Sequence, residues 1–314
     1  MVAYLIRRVL WGLSVLVAVG VLTFLLTYVV PADPARSIAG RNASAADVDR
    51  IRHALGLDGS VLEQLAAYFG RVLHGDFGHS FKRDADVLGL IVDHFPATLQ
   101  LAVAGLAVSM LVGIPLGVRA AAHPGGLGDR LSTVLMSLLV AAPAFWLGYV
   151  VLYLFAFLPA TRLGIDLFPI GQYKPLDLRY LALPALTLGL GGAGYYARIT
   201  RTAMLDELGL DYVTTARAKG AREARVLVRH ALRTALTPIL SQAGLDIGFF
   251  LGGVVVIENV FSWPGIGRLA VDAIPSEDLP LLMGTVLFAT LVIVASNLAV
   301  DVIQARLDPR IGHT

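Results

Sequence analysis

Six apolar runs in this chain are each long enough to cross a hydrocarbon core, for which a helix needs about 20 residues. They cover approximately residues 9–30, 99–118, 131–158, 181–199, 235–257 and 279–302. In lipid the backbone must satisfy its own hydrogen bonds, so runs of this kind fold as helices. Only 15% of the 314 residues are charged and 56% are hydrophobic, against about 25% charged in a soluble domain. The sequence therefore specifies an all-α protein with six transmembrane helices. The third run is overlong and holds Pro143, which predicts a tilt or kink. The fourth is diluted by Gly189, Gly191, Gly192 and Gly194. Arg7 and Arg8 precede the first run as in a signal peptide, but the run is too long and lacks a small-x-small cleavage site, so a retained anchor is expected. The absence of cysteine excludes disulfides, thiolate metal sites and a cysteine nucleophile.

Charge sets the orientation. With the N-terminus inside, residues 1–8, 119–130, 198–234 and 303–314 hold 14 of the 25 Lys and Arg against 6 acids. The opposite side, 31–98, 159–180 and 258–281, holds 11 bases and 15 acids. Lys and Arg mark the cytoplasmic face, so both termini are expected in the cytoplasm. The segment 31–98 reads as a small helical lobe on the outer surface. Ser44-x-x-Asp47 and Ser60-x-x-Glu63 are capping-box patterns. They open amphipathic helices with Val48, Ile51 and Leu55 on one face, and Leu62, Leu65, Phe69, Val72 and Leu73 on the other. Asp58-Gly59 supplies the turn between them.

Small residues recur at four-residue intervals: Gly244, Gly248 and Gly252 in the fifth run, Gly113 and Gly117 in the second, Gly189, Ala193 and Ala197 in the fourth. Such stripes let helices approach closely. Packing within the chain is one reading; a pore lining or a second transmembrane subunit is the other.

Catalytic patterns are missing. Gly-x-x-x-x-Gly-Lys-Ser/Thr, His-Glu-x-x-His and Gly-x-Ser-x-Gly do not occur, and the seven histidines form no cluster at metal-ligand spacing. Intramembrane acids are the next candidates. A charge at mid-bilayer costs about 2.5–3.5 kcal/mol on insertion scales, so Asp246, a third of the way into the fifth run, faces a bundle interior or a wet cavity. An interhelical hydrogen bond and contact with a polar solute are both open for it. Glu258 and Asp301 lie at run ends, where an interfacial position is expected. Asp246, Glu258 and Asn259 are the candidates for lining a translocation pathway.

The segment 211–238 is a basic island between apolar runs. Arg217, Lys219, Arg222, Arg225, Arg229 and Arg233 face the single acid Glu223 across its centre. Snorkelling to anionic headgroups is one role for it. Its small residues Ala216, Ala218, Gly220 and Ala221 argue instead for insertion into a protein groove, since a lipid-bound helix carries bulky apolar side chains. Gly220 predicts two short helices meeting at a bend.

Tyr212-Val213, Ala216-Arg217-Ala218-Lys219-Gly220, His230-Ala231-Leu232-Arg233 and Pro238 together resemble the cytoplasmic loop of binding-protein-dependent ABC transporter permeases, of the type found as the first permease of dipeptide, oligopeptide and nickel importers. The resemblance extends over nearly the whole chain. It includes Leu55-Gly56-Leu57-Asp58, Gly75-Asp76-Phe77-Gly78-x-Ser80, Pro96-Ala97-Thr98-Leu99, Gly113-Ile114-Pro115-Leu116-Gly117, Pro143-Ala144-Phe145-Trp146-x-Gly148, Leu183-Pro184-Ala185, Glu258-Asn259-Val260-Phe261-Ser262-Trp263-Pro264-Gly265-Ile266-Gly267 and Leu307-Asp308-Pro309-Arg310. One departure stands: where the family loop begins Glu-Ala-Ala, this chain has Thr214, Thr215 and Ala216, which leaves a Glu-mediated contact to the ATPase unassigned.

The resemblance implies a type I importer permease in the bacterial inner membrane. Its divisions would be an anchor helix at 1–31, an extracytoplasmic helical lobe at 32–93, a five-helix core at 94–303 with coupling helices at 205–234, and a cytoplasmic tail at 304–314. It implies a second homologous permease chain, two ATP-binding cassette subunits that bind the ATP and Mg, an extracytoplasmic solute-binding protein, and no nucleic-acid partner. Tyr212, Ala216, Arg217, Lys219, Gly220 and His230 would dock the ATPase. Peptides are the implied cargo, with nickel chelates, haem, sugars or another small solute behind them. A secondary transporter driven by an ion gradient is one rival, and would be expected to show inverted repeats and paired intramembrane charges. A non-transporting membrane scaffold is another, which explains the basic island but not the Trp263-Pro264-Gly265 turn.

Overall fold

The structure, a computed structural model, describes residues 2–26, 34–39, 43–54, 59–80, 82–171 and 173–307. The motifs at 55–58 and 308–310 and half of the Asp58-Gly59 turn lie outside the described residues. Helices α1 (Val2–Phe24), α2 (Pro34–Ala39), α3 (Ala45–Ala54) and α4 (Val61–Leu73) are followed by a hairpin of β1 (His79–Ser80) and β2 (Ala85–Asp86). Then come α5 (Val87–Ala122), α6 (Leu127–Ala141), α7 (Ala144–Leu152), α8 (Leu178–Leu208), α9 (Asp211–Ala218), α10 (Glu223–Arg225), α11 (Leu232–Val260), α12 (Ile266–Ala273) and α13 (Leu279–Leu307). By length and composition, four helices among the described residues can cross a membrane: Ile6–Phe24, Val87–Ala122, Ala144–Leu163 and Leu279–Val302. The other two expected ranges, 181–199 and 235–257, each lie inside one long helix, α8 and α11.

The third run breaks where Pro143 requires it. Ala142 and Pro143 are extended (ψ 127° and 134°), because the proline ring disfavours helical geometry at the residue before it. Beyond α7 the backbone widens into π-type turns at Tyr153–Phe157 and Pro159–Leu163.

Residues 1–98 and 264–314 form one compact unit. α1 packs on α13: a Cβ on Gly12 would fall 2.6 Å from Val294. Phe24, Tyr68, Met283 and Leu287 make a core between α1, α4 and α13, with Leu65, Phe69 and Val72 against it. Ser60 and Glu63 complete the expected capping box of α4. Ser44 accepts from the Asp47 amide (3.2 Å), but its hydroxyl donates to the Asp47 carboxylate instead of completing a box. The buried stripe of α4 is Leu65, Tyr68, Phe69 and Val72; Leu62 and Leu73 are 76% and 84% exposed, against expectation. At 100° per residue they sit roughly 70–90° round from the centre of that stripe, beyond the reach of α1 and α13.

Asp301 stands at the end of the apolar stretch Leu279–Val302, as expected, but it is buried by protein. It is 4% exposed because α1 covers α13 there, and Arg8 crosses from α1 to pair with it through Nε (2.7 Å) and Nη2 (2.9 Å). The hairpin is tied to the start of α13 by the buried Ser80 hydroxyl, which donates to the Asp278 carboxylate. Thr98 Oγ1 accepts the Ile266 amide (2.9 Å) and so fixes the start of α12.

Residues 99–263 form the second unit. Its centre is the contact of α5 with α8. A Cβ on Gly113 would lie 2.6 Å from the Tyr196 Cβ and 2.7 Å from the Ala193 carbonyl; one on Gly117 would lie 2.5 Å from the Ala197 carbonyl. Gly189 likewise has no room against Val108, and the Ser109 hydroxyl donates to the Gly189 carbonyl at 2.9 Å. Gly194 turns the next face of α8 onto α6, against the Met136 carbonyl. The stripes of α5 and α8 thus serve packing within the chain. A Gly117→Leu variant should lose stability by about 1–3 kcal/mol or more, the usual cost of overpacking. Its melting temperature in detergent should fall clearly below that of wild type, and an unchanged value would contradict the close approach.

Candidate functional site

The basic island folds as an elbow between α8 and α11. Val213 on α9 and Val226 and Ala231 on the following π-type turn (Val226–Ala231) are fully buried. Ala231 joins Ala121, Met204 and Ala235 in one cluster. These anchors hold the elbow by its apolar side. The other side exposes Tyr212, Arg217, Lys219, Gly220, Arg222, Arg225, Arg229 and Arg233, with Ala216 and His230 half-buried. All six docking candidates therefore lie on one continuous element.

The bend has a definite geometry. Gly220 takes φ +78°, the left-handed region that a side chain disfavours. The Gly220 amide bonds the Arg217 carbonyl (2.9 Å) and the Ala221 amide bonds the Ala216 carbonyl (3.2 Å), the paired bonds of a Schellman helix end. A Cβ on Gly220 would meet nothing within 4 Å, so backbone conformation alone demands glycine. Across the bend Arg217 donates twice to Glu223 (2.8 and 3.2 Å), and these bonds hold the Glu223 carboxyl below its ordinary value, with His123 adding a smaller attraction. Both side chains are about half exposed, so the pair contributes at most ~1 kcal/mol. Tyr212 donates to Glu207 (2.5 Å), tying α9 back to the end of α8.

α8 is braced to α6 close by. Arg201 binds Asp129 through Nε (2.7 Å) and Nη2 (2.8 Å), and the Gly125 amide adds a third bond (2.9 Å). The Arg201 hydrogen bond first, and the Gly125 amide second, hold the Asp129 carboxyl down to about 2.

A cavity of about 550 Å³ opens between α6, α7, α8 and α11, lined by Leu147, Thr187, Gly191, Tyr195, Asp246 and Phe250 among others. Asp246 accepts the Tyr196 hydroxyl on Oδ2 and the Gln242 amide on Oδ1, both at 2.8 Å. Of the three pathway candidates only Asp246 lines it. Asn259 donates to the Val255 carbonyl of its own helix (2.8 Å). Glu258, expected at the interface, is fully buried. The chain folds back over that helix end: the Trp263 amide bonds the Glu258 carbonyl (2.8 Å), and the buried Trp263 ring stands edge-on to Tyr173 at 4.6 Å. Tyr196 and Gln242 were not singled out from sequence. Gln242 stood one helical turn before Asp246, a usable signal; Tyr196 is 50 residues away and left none.

Residues 113–313 match the family of binding-protein-dependent transport system inner membrane components, and residues 1–102 match the N-terminal model of the same membrane components. The chain is 40% identical over 319 residues, with full coverage of both sequences, to a provisionally named peptide transport system permease protein of Brucella abortus. It is 38% identical over 313 residues, again with full coverage of both, to the glutathione transport system permease protein GsiC of Salmonella typhimurium. The inward-facing MetNI methionine ABC transporter superposes with a TM-score of 0.53 at 18% identity, over 70% of this chain and 96% of that one. The chain belongs to the binding-protein-dependent transport system inner membrane components, and is a multi-pass permease of an ABC importer.

The Asp129 brace gives a pH test. Its folded value lies below the ordinary 3.8, so its contribution to stability is complete above that value and is lost as pH falls towards about 2. An Asp129→Asn variant should melt below wild type at pH 5–7 (roughly the plateau of this curve), and the gap should shrink through pH 3. A gap of constant size over that range would contradict the ion pair.

Proposed function

We propose that this chain is one permease subunit of an ATP-driven importer that takes up peptides delivered by an extracytoplasmic solute-binding protein. The observation that carries the cargo class is the full-length similarity to permeases named for peptide and glutathione transport, glutathione being itself a tripeptide. A second homologous permease chain completes the pathway. Two separate ATPase subunits bind ATP and Mg, in keeping with the lack of a P-loop sequence here. Both termini lie in the cytoplasm, as the distribution of Lys and Arg supports. The lobe at 32–93 meets the binding protein, the core at 94–303 carries the pathway, and 304–314 trails into the cytoplasm.

The elbow is the coupling element. Tyr212, Ala216, Arg217, Lys219, Gly220 and His230 seat in a groove of the ATPase. Apolar anchoring on one side and exposed cations on the other support this role. Val213 and Val226 fasten the elbow to the bundle, so a displacement of the seated surface drags α8 and α11 and biases the pathway between inward and outward openings. The buried anchors and the left-handed Gly220 give the elbow the stiffness to transmit a push, and the Arg217–Glu223 pair across the bend adds only a little to it. Asp246, Glu258 and Asn259 belong to the pathway, with Glu258 and Asn259 requiring a rearrangement of the turn at Trp263 to reach it.

Reconstitution with the partner subunits tests the reading: the binding protein should stimulate ATP hydrolysis, and peptide should accumulate in the vesicles. Replacing Gly220 by valine places a branched side chain in a left-handed conformation that costs about 1–2 kcal/mol. The complex should still assemble, while uptake per ATP hydrolysed falls on the order of tenfold, within the range of a coupling energy of about 1–3 kcal/mol. Undiminished transport by that variant would remove the elbow from the coupling path.

A further inference from the structure

We infer that the cavity around Asp246 is a binding site for the amino-terminal end of a transported peptide, with the ammonium group at Asp246 and the first side chain in the apolar part of the chamber. The inference rests on the peptide-importer reading and adds to it a place and a chemical criterion.

Three observations carry it. The first is an anion held by neutral groups. Asp246 accepts one hydrogen bond on each oxygen, from the Tyr196 hydroxyl and the Gln242 amide. A carboxylate offers about four acceptor positions, so each oxygen keeps capacity for another donor. Among the described residues no Lys, Arg or His pairs with Asp246, whereas Asp301 is neutralised by Arg8 and Asp129 by Arg201. Two dipoles fix the carboxylate in place without cancelling its charge. A half-buried anion in an apolar bundle is completed by a cation brought from outside.

The second is the character of the walls. Leu139, Val140, Leu147, Leu188 and Phe250 give the chamber apolar walls, and its polar side chains are those of Asp246, Thr187 and the two tyrosines. The partly exposed Tyr195 ring stands edge-on to Tyr196 at 6.0 Å, which puts an aromatic ring next to the carboxylate's donor. One carboxylate with a phenol and an amide is too sparse for a hard or transition metal ion, which takes several oxygen or nitrogen ligands. An organic ammonium attached to an apolar group fits both halves. The volume, about 550 Å³, suits a small organic solute.

The third is a glycine with no packing duty. Neighbouring glycines of α8 are in contact: a Cβ on Gly192 would strike Ser109 Oγ at 2.5 Å and one on Gly194 the Met136 carbonyl at 2.6 Å. Gly191 lies on the cavity wall, and a Cβ there would meet nothing within 4 Å. What Gly191 keeps open is the chamber itself.

The test uses the assembled permease–ATPase complex in lipid nanodiscs without its binding protein, so that selection by that protein does not enter. Radiolabelled Leu-Leu is the probe and N-acetyl-Leu-Leu, which lacks the ammonium, is the competitor. Wild type should bind Leu-Leu saturably, and the acetylated peptide should compete about tenfold less well or worse, as expected for loss of a charge-assisted hydrogen bond. Asp246→Asn should weaken Leu-Leu binding about tenfold and erase the difference between the two peptides. Gly191→Leu, whose Cβ meets no atom within 4 Å and whose side chain starts from the chamber wall, should weaken Leu-Leu binding about tenfold or more while the melting temperature stays near the wild-type value; it carries the test if the Asn variant does not fold. Equal competition by both peptides in wild type, full discrimination retained by Asp246→Asn, or no saturable binding would each overturn the inference. Uptake of Leu-Leu by proteoliposomes with the binding protein is measured alongside. Uptake without cavity binding sinks this inference alone, whereas no uptake removes the importer reading beneath it.

Discussion

Backbone against backbone between α5 and α8 is the contact on which the rest of residues 99–263 depends. In lipid, helices gain little from hiding apolar surface, so they associate where small residues let main chains meet and polar groups bond across the seam. Gly113 and Gly117 on α5 meet Ala193 and Ala197 on α8, and Ser109 bonds the Gly189 carbonyl. Once that face is used, the rest of α8 is committed. Gly194 goes to α6, Tyr196 reaches Asp246 on α11, and Arg201 reaches Asp129. A helix interrupted by glycine and alanine thereby becomes the organiser of its neighbours.

The same economy governs the elbow. Its shape comes from one left-handed glycine and its attachment from Val213, Val226 and Ala231, all fully buried. The exposed cations contribute little to either. Shape and charge are therefore separable properties of this segment, the first set by backbone and packing, the second carried by side chains that reach into solvent.

Features written in local patterns were legible in the sequence, and those made by distant residues were not. The long helices, the break at Pro143, the capping box at Ser60 and the bend at Gly220 each follow from neighbours in the chain. The apolar face of α4 was read too broadly, since a count of hydrophobic residues does not say which of them a neighbouring helix can reach; Leu62 and Leu73 miss it. Glu258 and Asp301 were placed near water because they stand at run ends, yet a folded-back turn and a packed helix bury them. Asp246 was legible as a costly residue, but its partner Tyr196 and the chamber beside it arise from four helices and carry no sequence period. The basic elbow was legible as a motif, whereas the buried residues that fasten it were not.

Arg8 and Asp301 stand 293 positions apart. Ribosomal synthesis delivers α1 long before α13, so their ionic contact forms late relative to the insertion of α1. Until then the arginine must stay near hydrated headgroups, and α1 is held at a depth where that is tolerable. Arrival of the last helix lets α1 settle against it. Termination before Asp301 would remove this contact, and Arg8 would then depend more heavily on water and headgroups to accommodate its charge.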